Sequence, residues 1–93
     1  MSEYKKFYID IRSSISGTDS IRSVHADAHH KYLLGLKENG KVFMAGRLTD
    51  GTGGIVIFST ASIEEARELT SQDPFVANGV LKPEIKEWTT RIY

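Results

Sequence analysis

All three histidines of the chain, His25, His29 and His30, lie close together, and one stands where an aliphatic residue is expected. At ~100° per residue, His25, His29, Tyr32, Leu33 and Leu36 share one face of a helix that begins within residues 20–24 and ends at Asn39. A buried imidazole beside Leu33 and Leu36 needs partners for its ring nitrogens. His29 therefore reads either as a satisfied core histidine or as a proton-exchanging base in a pocket, a task that suits imidazole because it titrates near neutrality. His25 and His29, one turn apart, could share a divalent metal. No third ligand is evident, however, and His25-Ala26-Asp27-Ala28-His29 has Ala where the catalytic Glu of an HExxH motif would stand. Neither a metal nor a cofactor is expected.

Asp73 is the second candidate. In Asp73-Pro74-Phe75 the Asp reads as an N-cap, the Pro as the first helical residue, and Asn78-Gly79 as the stop. A cap uses one carboxylate oxygen; the other, aimed at an imidazole, would fix its tautomer and raise its basicity. The glycine-rich turn at residues 50–54 could offer N–H groups to an anion. A phosphate loop needs a helix after it, whereas strands flank this one on both sides, so a hairpin turn is the simpler reading. Arg47, just before that turn, is by default a surface residue, but it is placed to pair with an acidic substrate or an internal carboxylate.

The elements that must position these groups are legible in outline. In residues 4–12, Phe7, Ile9 and Ile11 alternate with Lys6, Tyr8, Asp10 and Arg12, the period-two signature of a half-buried strand. A loop containing Gly17 leads to the first helix, for which Asp19, Ser20 and Ser23 are candidate N-caps, and Asn39-Gly40 is its stop. Residues 41–48 and 54–60 are rich in Val, Ile and Phe and should pair as an antiparallel hairpin. Ser62 and Glu65 form a capping box for a second helix, with Ala61 in the staple position and Ile63, Ala66 and Leu69 on its buried stripe. Residues 80–93 are extended, with an edge or bend at Pro83. The order strand, helix, strand, strand, helix, strand predicts a single α+β domain over residues 1–93: a ferredoxin-like βαββαβ fold, with a four-stranded antiparallel sheet and both helices on one face. The uncovered face, carrying Tyr8, Phe43 or Phe58 according to register, needs a cover. A second copy of the chain is the simplest one, making a homodimer.

Composition narrows the function classes. Twelve basic residues balance twelve acidic ones, which argues against nucleic-acid or membrane-surface partners. The absence of cysteine rules out disulfides and thiolate metal sites. The segment Met1-Ser2-Glu3-Tyr4-Lys5-Lys6 has charges where a signal peptide needs an apolar run, and no segment approaches the ~20 apolar residues of a membrane helix. A cytoplasmic protein is expected.

Several motifs together resemble the YciI-like (YCII-related) family. They are His29-x-x-x-Leu33-x-x-Leu36, Gly40-Lys41-x-x-x-Ala45-Gly46, the glycine loop ending at Gly54, Ile55-Val56-Ile57, Ser62-x-Glu64-Glu65-Ala66 and Asp73-Pro74-Phe75-x-x-x-Gly79-Val80, within residues 28–88. The resemblance implies a ferredoxin-like fold assembled as a dimeric α+β barrel, with a site centred on His29 and Asp73. Some relatives in that superfamily are cofactor-free lyases or isomerases acting on small aromatic or lactone rings. Arg47 stands where many relatives carry Pro, and residues 13–27 match poorly, so substrate identity does not transfer.

Two functional readings result. In the first, a cofactor-independent enzyme of lyase or isomerase type uses His29 as general acid/base. Asp73 orients it, Arg47 and glycine-loop amides stabilise a developing enolate or carboxylate, and Phe75 and Tyr8 border the substrate, a ring or carboxylate-bearing small molecule. In the second, a non-catalytic dimer binds a small ligand or assists another enzyme, and His29 and Asp73 are structural.

Overall fold

The computed structural model describes residues 3–93; Met1 and Ser2, the first residues of the segment whose charges argue against a signal peptide, lie outside the described residues. Strand β1 (Lys5–Ser14) is followed by α1 (Asp19–Glu38), the hairpin β2 (Val42–Arg47) and β3 (Gly53–Phe58), α2 (Ile63–Ser71), the single-turn α3 (Pro74–Ala77), β4 (Leu81–Lys82) and β5 (Ile85–Thr90). This is the βαββαβ order expected, and the fold is ferredoxin-like. The final strand is divided: β4 and β5 both pair antiparallel with β1, on either side of Pro83, so the sheet has five strands rather than four. Pro has no N–H for the ladder, and the chain breaks step there.

Local signals account for most boundaries. Ser62 Oγ accepts the Glu65 N–H at 3.1 Å, and the Glu65 carboxylate accepts the Ala61 N–H at 3.0 Å, a capping box whose return bond lands one residue early. Gly40 ends α1 at φ +76°, a conformation that costs Gly little. The start of α1 differs from expectation. Its N-cap is Thr18, whose hydroxyl donates to the Ile15 carbonyl and makes no cap bond, while the Ser23 hydroxyl bonds back to the Asp19 carbonyl within the helix.

The largest correction concerns β1. Both helices cover the side that carries Tyr8, Asp10 and Arg12, all buried, whereas Phe7, Ile9 and Ile11 point to the open side of the sheet. On the covered side Tyr8 packs with Leu36, Val42, Val56, Phe58 and Ala66, bordered by Tyr32, Leu33 and Ile63. Tyr8 and Phe58, two candidates for the uncovered face, are therefore core residues. The third, Phe43, does lie on the open face. It forms the bulge between Val42 and Met44 and packs its ring against Phe7 at 5.3 Å, and Phe7 in turn meets Trp88 at 6.0 Å. None of the described helices is long and apolar enough to cross a membrane.

Candidate functional site

Two elements deliver charged groups to one point under α1. Asp10 and Arg12 project from the same side of β1, two residues apart, and Asp73 begins α3. Arg12 Nε donates to Asp10 Oδ2 at 2.6 Å, and its Nη1 donates to Asp73 Oδ2 at 2.5 Å. Asp10 also accepts the Thr70 hydroxyl from α2 at 3.0 Å and the Glu84 N–H at 3.2 Å. These bonds explain how two carboxylates and a guanidinium occupy a core: each carboxylate has the Arg12 charge and fixed donors beside it. One guanidinium nitrogen is left over. Nη2 of Arg12 is the sole buried side-chain N or O without a hydrogen-bond partner among the described residues.

His29 joins this network from α1. Its Nδ1 lies 2.8 Å from Asp73 Oδ1 and 3.0 Å from Oδ2. Asp73 is also the N-cap of α3, accepting the Phe75 N–H at 2.9 Å. The expectation that capping leaves one oxygen free is thus revised: Oδ1 serves the cap and His29, and Oδ2 holds Arg12. Burial pushes the Asp73 carboxyl upward, but the hydrogen bonds from His29 and Arg12, the Arg12 charge and the Phe75 N–H outweigh it and hold the pKa below the ordinary carboxylate value. A carboxylate kept ionised can only accept, so hydrogen bonding assigns the proton to Nδ1 and leaves the lone pair of a neutral ring on Nε2. Nε2 makes no hydrogen bond among the described residues and is not sealed from solvent. Phe75 stacks on the imidazole at 4.0 Å with a 14° tilt, and the Arg22 guanidinium lies 5.0 Å from the Phe75 ring centre.

His29 forms part of the wall of a cleft of about 500 Å³ between α1 and the β2–β3 hairpin. Arg12, Arg22, Arg47 and Phe75 line it too, with Leu33, Val56, Gly53 and Gly54 among its other residues. Of the residues singled out in the sequence, His29, Phe75 and Arg47 line this cleft, and Asp73 is buried behind it in contact with His29. Tyr8 does not, because it is packed in the core behind the cleft. The glycine-loop amides also do less than expected: the Gly51 N–H is held by the Leu48 carbonyl and the Thr52 N–H by Asp50. His25 lies part-buried on the same helix face, and no group of three or more His, Asp or Glu suited to a metal occurs among the described residues. Asp10, Arg12, Thr70 and Arg22 escaped the sequence reading. The available signal was an acid and a base at i and i+2 in a strand, which places them on one face.

The sequence model of the YCII-related domain matches residues 8–89. The chain belongs to the YCII-related domain family. It is 35% identical over 71 residues to the uncharacterised protein YjpA of Bacillus subtilis (strain 168), spanning 76% of this chain and 84% of that protein. Among solved structures it is similar to 5-chloro-2-hydroxyhydroquinone dehydrochlorinase (TftG) from Burkholderia phenoliruptrix AC1100, determined in complex with 2,5-dihydroxybenzoquinone. The TM-score is 0.75 at 24% identity, covering 88% of this chain and 92% of that one. The likeness to TftG extends to the fold. A YCII-related domain of this kind thus sets an ionised Asp behind a His at the edge of an open cleft.

Proposed function

We propose that this protein is a small-molecule enzyme of lyase or isomerase type that uses His29 and Asp73 as a proton-transfer pair and needs no cofactor. The observation that carries this reading is the contact between His29 Nδ1 and the Asp73 carboxylate, which assigns the ring proton to Nδ1 and leaves Nε2 unpaired among the described residues and not sealed from solvent. In a substrate with an acidic C–H next to a carbonyl, Nε2 takes the proton and the electron pair moves onto the carbonyl oxygen as an enolate. Return of the proton to another carbon isomerises the substrate; expulsion of a leaving group from the adjacent carbon eliminates it. Asp73 stabilises the imidazolium formed in between, Phe75 provides a flat wall, and Arg47 faces the developing negative charge. The similarly folded TftG bears the name of a dehydrochlorinase and was determined with a hydroxylated quinone, which favours ring compounds.

The test is solvent deuterium exchange, followed by proton NMR, into a panel of hydroxyquinones, cyclic ketones and lactones. At least one compound should exchange faster with the protein present, and His29→Gln should abolish the acceleration at unchanged Tm. Exchange that survives His29→Gln would refute general base catalysis by this residue. A non-catalytic, ligand-binding reading draws on a different observation: Asp73 is fully engaged in capping and in holding Arg12, as a structural residue would be. That reading expects no compound of the panel to exchange faster, and His29→Gln to lower Tm.

The open face of the sheet supports a homodimer as part of the same proposal. Phe43 is 50% exposed, Trp88 41% and Ile11 40% on that one face, with Phe7 packed against both Phe43 and Trp88, the kind of apolar patch that usually marks an interface. A second copy, applying the same patch, is the occupant we propose.

A further inference from the structure

We infer that the cleft selects an anion with an apolar body, and that Nη2 of Arg12 donates a hydrogen bond to the acidic oxygen of that ligand. The inference concerns the same cleft as the proton-transfer reading and deepens it, but it does not depend on proton transfer taking place.

Three observations carry it. Arg12 is 2% exposed, two of its nitrogens are held by Asp10 and Asp73, and Nη2 has no partner although the residue forms part of the cleft wall. A buried guanidinium N–H left without an acceptor is costly, and a ligand oxygen would satisfy it. The second observation is charge. Arg22, Lys37 and Arg47 also line the cleft, none of them forms an ion pair among the described residues, and no Asp or Glu lines it. Asp10 and Asp73 lie behind Arg12 rather than on the wall, and the three cations that have no carboxylate partner outweigh them.

The third observation is register. Arg12 lies directly opposite Gly54 on β3, and Gly54 directly opposite Arg47 on β2, so the three form one rung on the covered side of the sheet. Strand spacing puts the two arginine backbones about 10 Å apart across a residue without a side chain. An anionic oxygen over Gly54 would lie between two guanidinium groups, with apolar Leu33, Val56 and Phe75 to hold the rest of the molecule. Because Arg12 and His29 grip the same Asp73 carboxylate, that oxygen would be held on the wall from which Nε2 acts.

The ligand is thus a carboxylate or a ring oxyanion. Titrating the full-length protein with benzoate, with 4-nitrophenolate above its pKa, and with neutral benzamide, followed by ¹H–¹⁵N NMR, separates the cases. At least one anion should saturate the cleft with an affinity about tenfold tighter than benzamide. Added salt should weaken it, Arg22→Gln should weaken it further, and which anion prevails tells carboxylate from oxyanion. The Arg12 Nε–H signal, protected by its bond to Asp10, should move with the preferred anion and stay still with benzamide; this readout needs no Arg12 variant. Equal binding of benzamide, no saturation by either anion at millimolar concentration, or an unmoved Arg12 signal at saturation would each overturn the inference. His29→Gln distinguishes the two proposals, since it should remove proton exchange while the preference for the anion persists.

Discussion

Forty-four positions apart in the chain, His29 Nδ1 and Asp73 Oδ1 stand 2.8 Å apart, with the Phe75 N–H on the same oxygen. The second carboxylate oxygen holds Arg12, so one side chain caps a helix turn, fixes a tautomer and neutralises a buried cation. A substitution at Asp73 therefore changes stability and site chemistry together, whereas His29→Gln leaves the helix cap and the Arg12 bond in place.

The acid limb of stability should depend on Asp73. Its pKa in the folded protein lies below the unfolded value, so the unfolded chain takes up this proton first as pH falls. The contribution is fully present above the ordinary carboxylate pKa, starts to fade below it, and is gone once pH has dropped through the folded value. Relative to the wild type, Asp73→Asn should be less stable at neutral pH and should lose Tm less steeply below about pH 5. Parallel acid limbs in the two proteins would exclude this role.

Asp10 and Thr70 offer a graded pair. Asp10→Ala removes the acceptor for Arg12 Nε inside the core, and breaking a buried ion pair from one side typically costs roughly 3–5 kcal/mol. Thr70→Val removes one neutral donor to a carboxylate that keeps its other bonds, and should cost less, roughly 1.5–2 kcal/mol. Urea denaturation of both variants checks the order. Equal losses would mean that Asp10 is not the main counter-charge for Arg12.

The glycines of the hairpin should differ sharply in tolerance. A Cβ on Gly53 would stand 1.8 Å from the Arg12 carbonyl oxygen, and one on Gly54 would stand 2.7 Å from the Gly46 carbonyl oxygen. Either contact forces neighbouring strands apart, so Gly53→Ala and Gly54→Ala should each lose about 1–3 kcal/mol or more. Gly46 has open space around its missing Cβ and no unusual φ, and Gly46→Ala should be close to neutral by the same measurement.

The open sheet face should respond to charge. Sedimentation velocity should give the wild type twice the mass of one chain, and Phe43→Glu should return it to a single-chain mass. A monomeric wild type at micromolar concentration would remove the proposed homodimer.

Much of this was legible in the sequence because it is encoded within a few residues. The Ser62–Glu65 box, the Asp73-Pro74 start, the Gly40 and Gly79 stops, and the face of α1 carrying His29, Leu33 and Leu36 each depend on local geometry alone. The motif resemblance then paired His29 with Asp73 before any distance was known. Strand β1 was not legible in this way. Alternation shows that Tyr8, Asp10 and Arg12 share a side, but not which side the helices will cover. Phe7, Ile9 and Ile11 make the other side look like the core by composition. Tertiary structure decided it, for a physical reason: charges can occupy the covered side only where opposite charges meet them, and the partner that completes Arg12 is Asp73, 61 positions away. Until that contact exists, Asp10 and Arg12 look like residues of a solvated face; once it forms, they become the floor of the site.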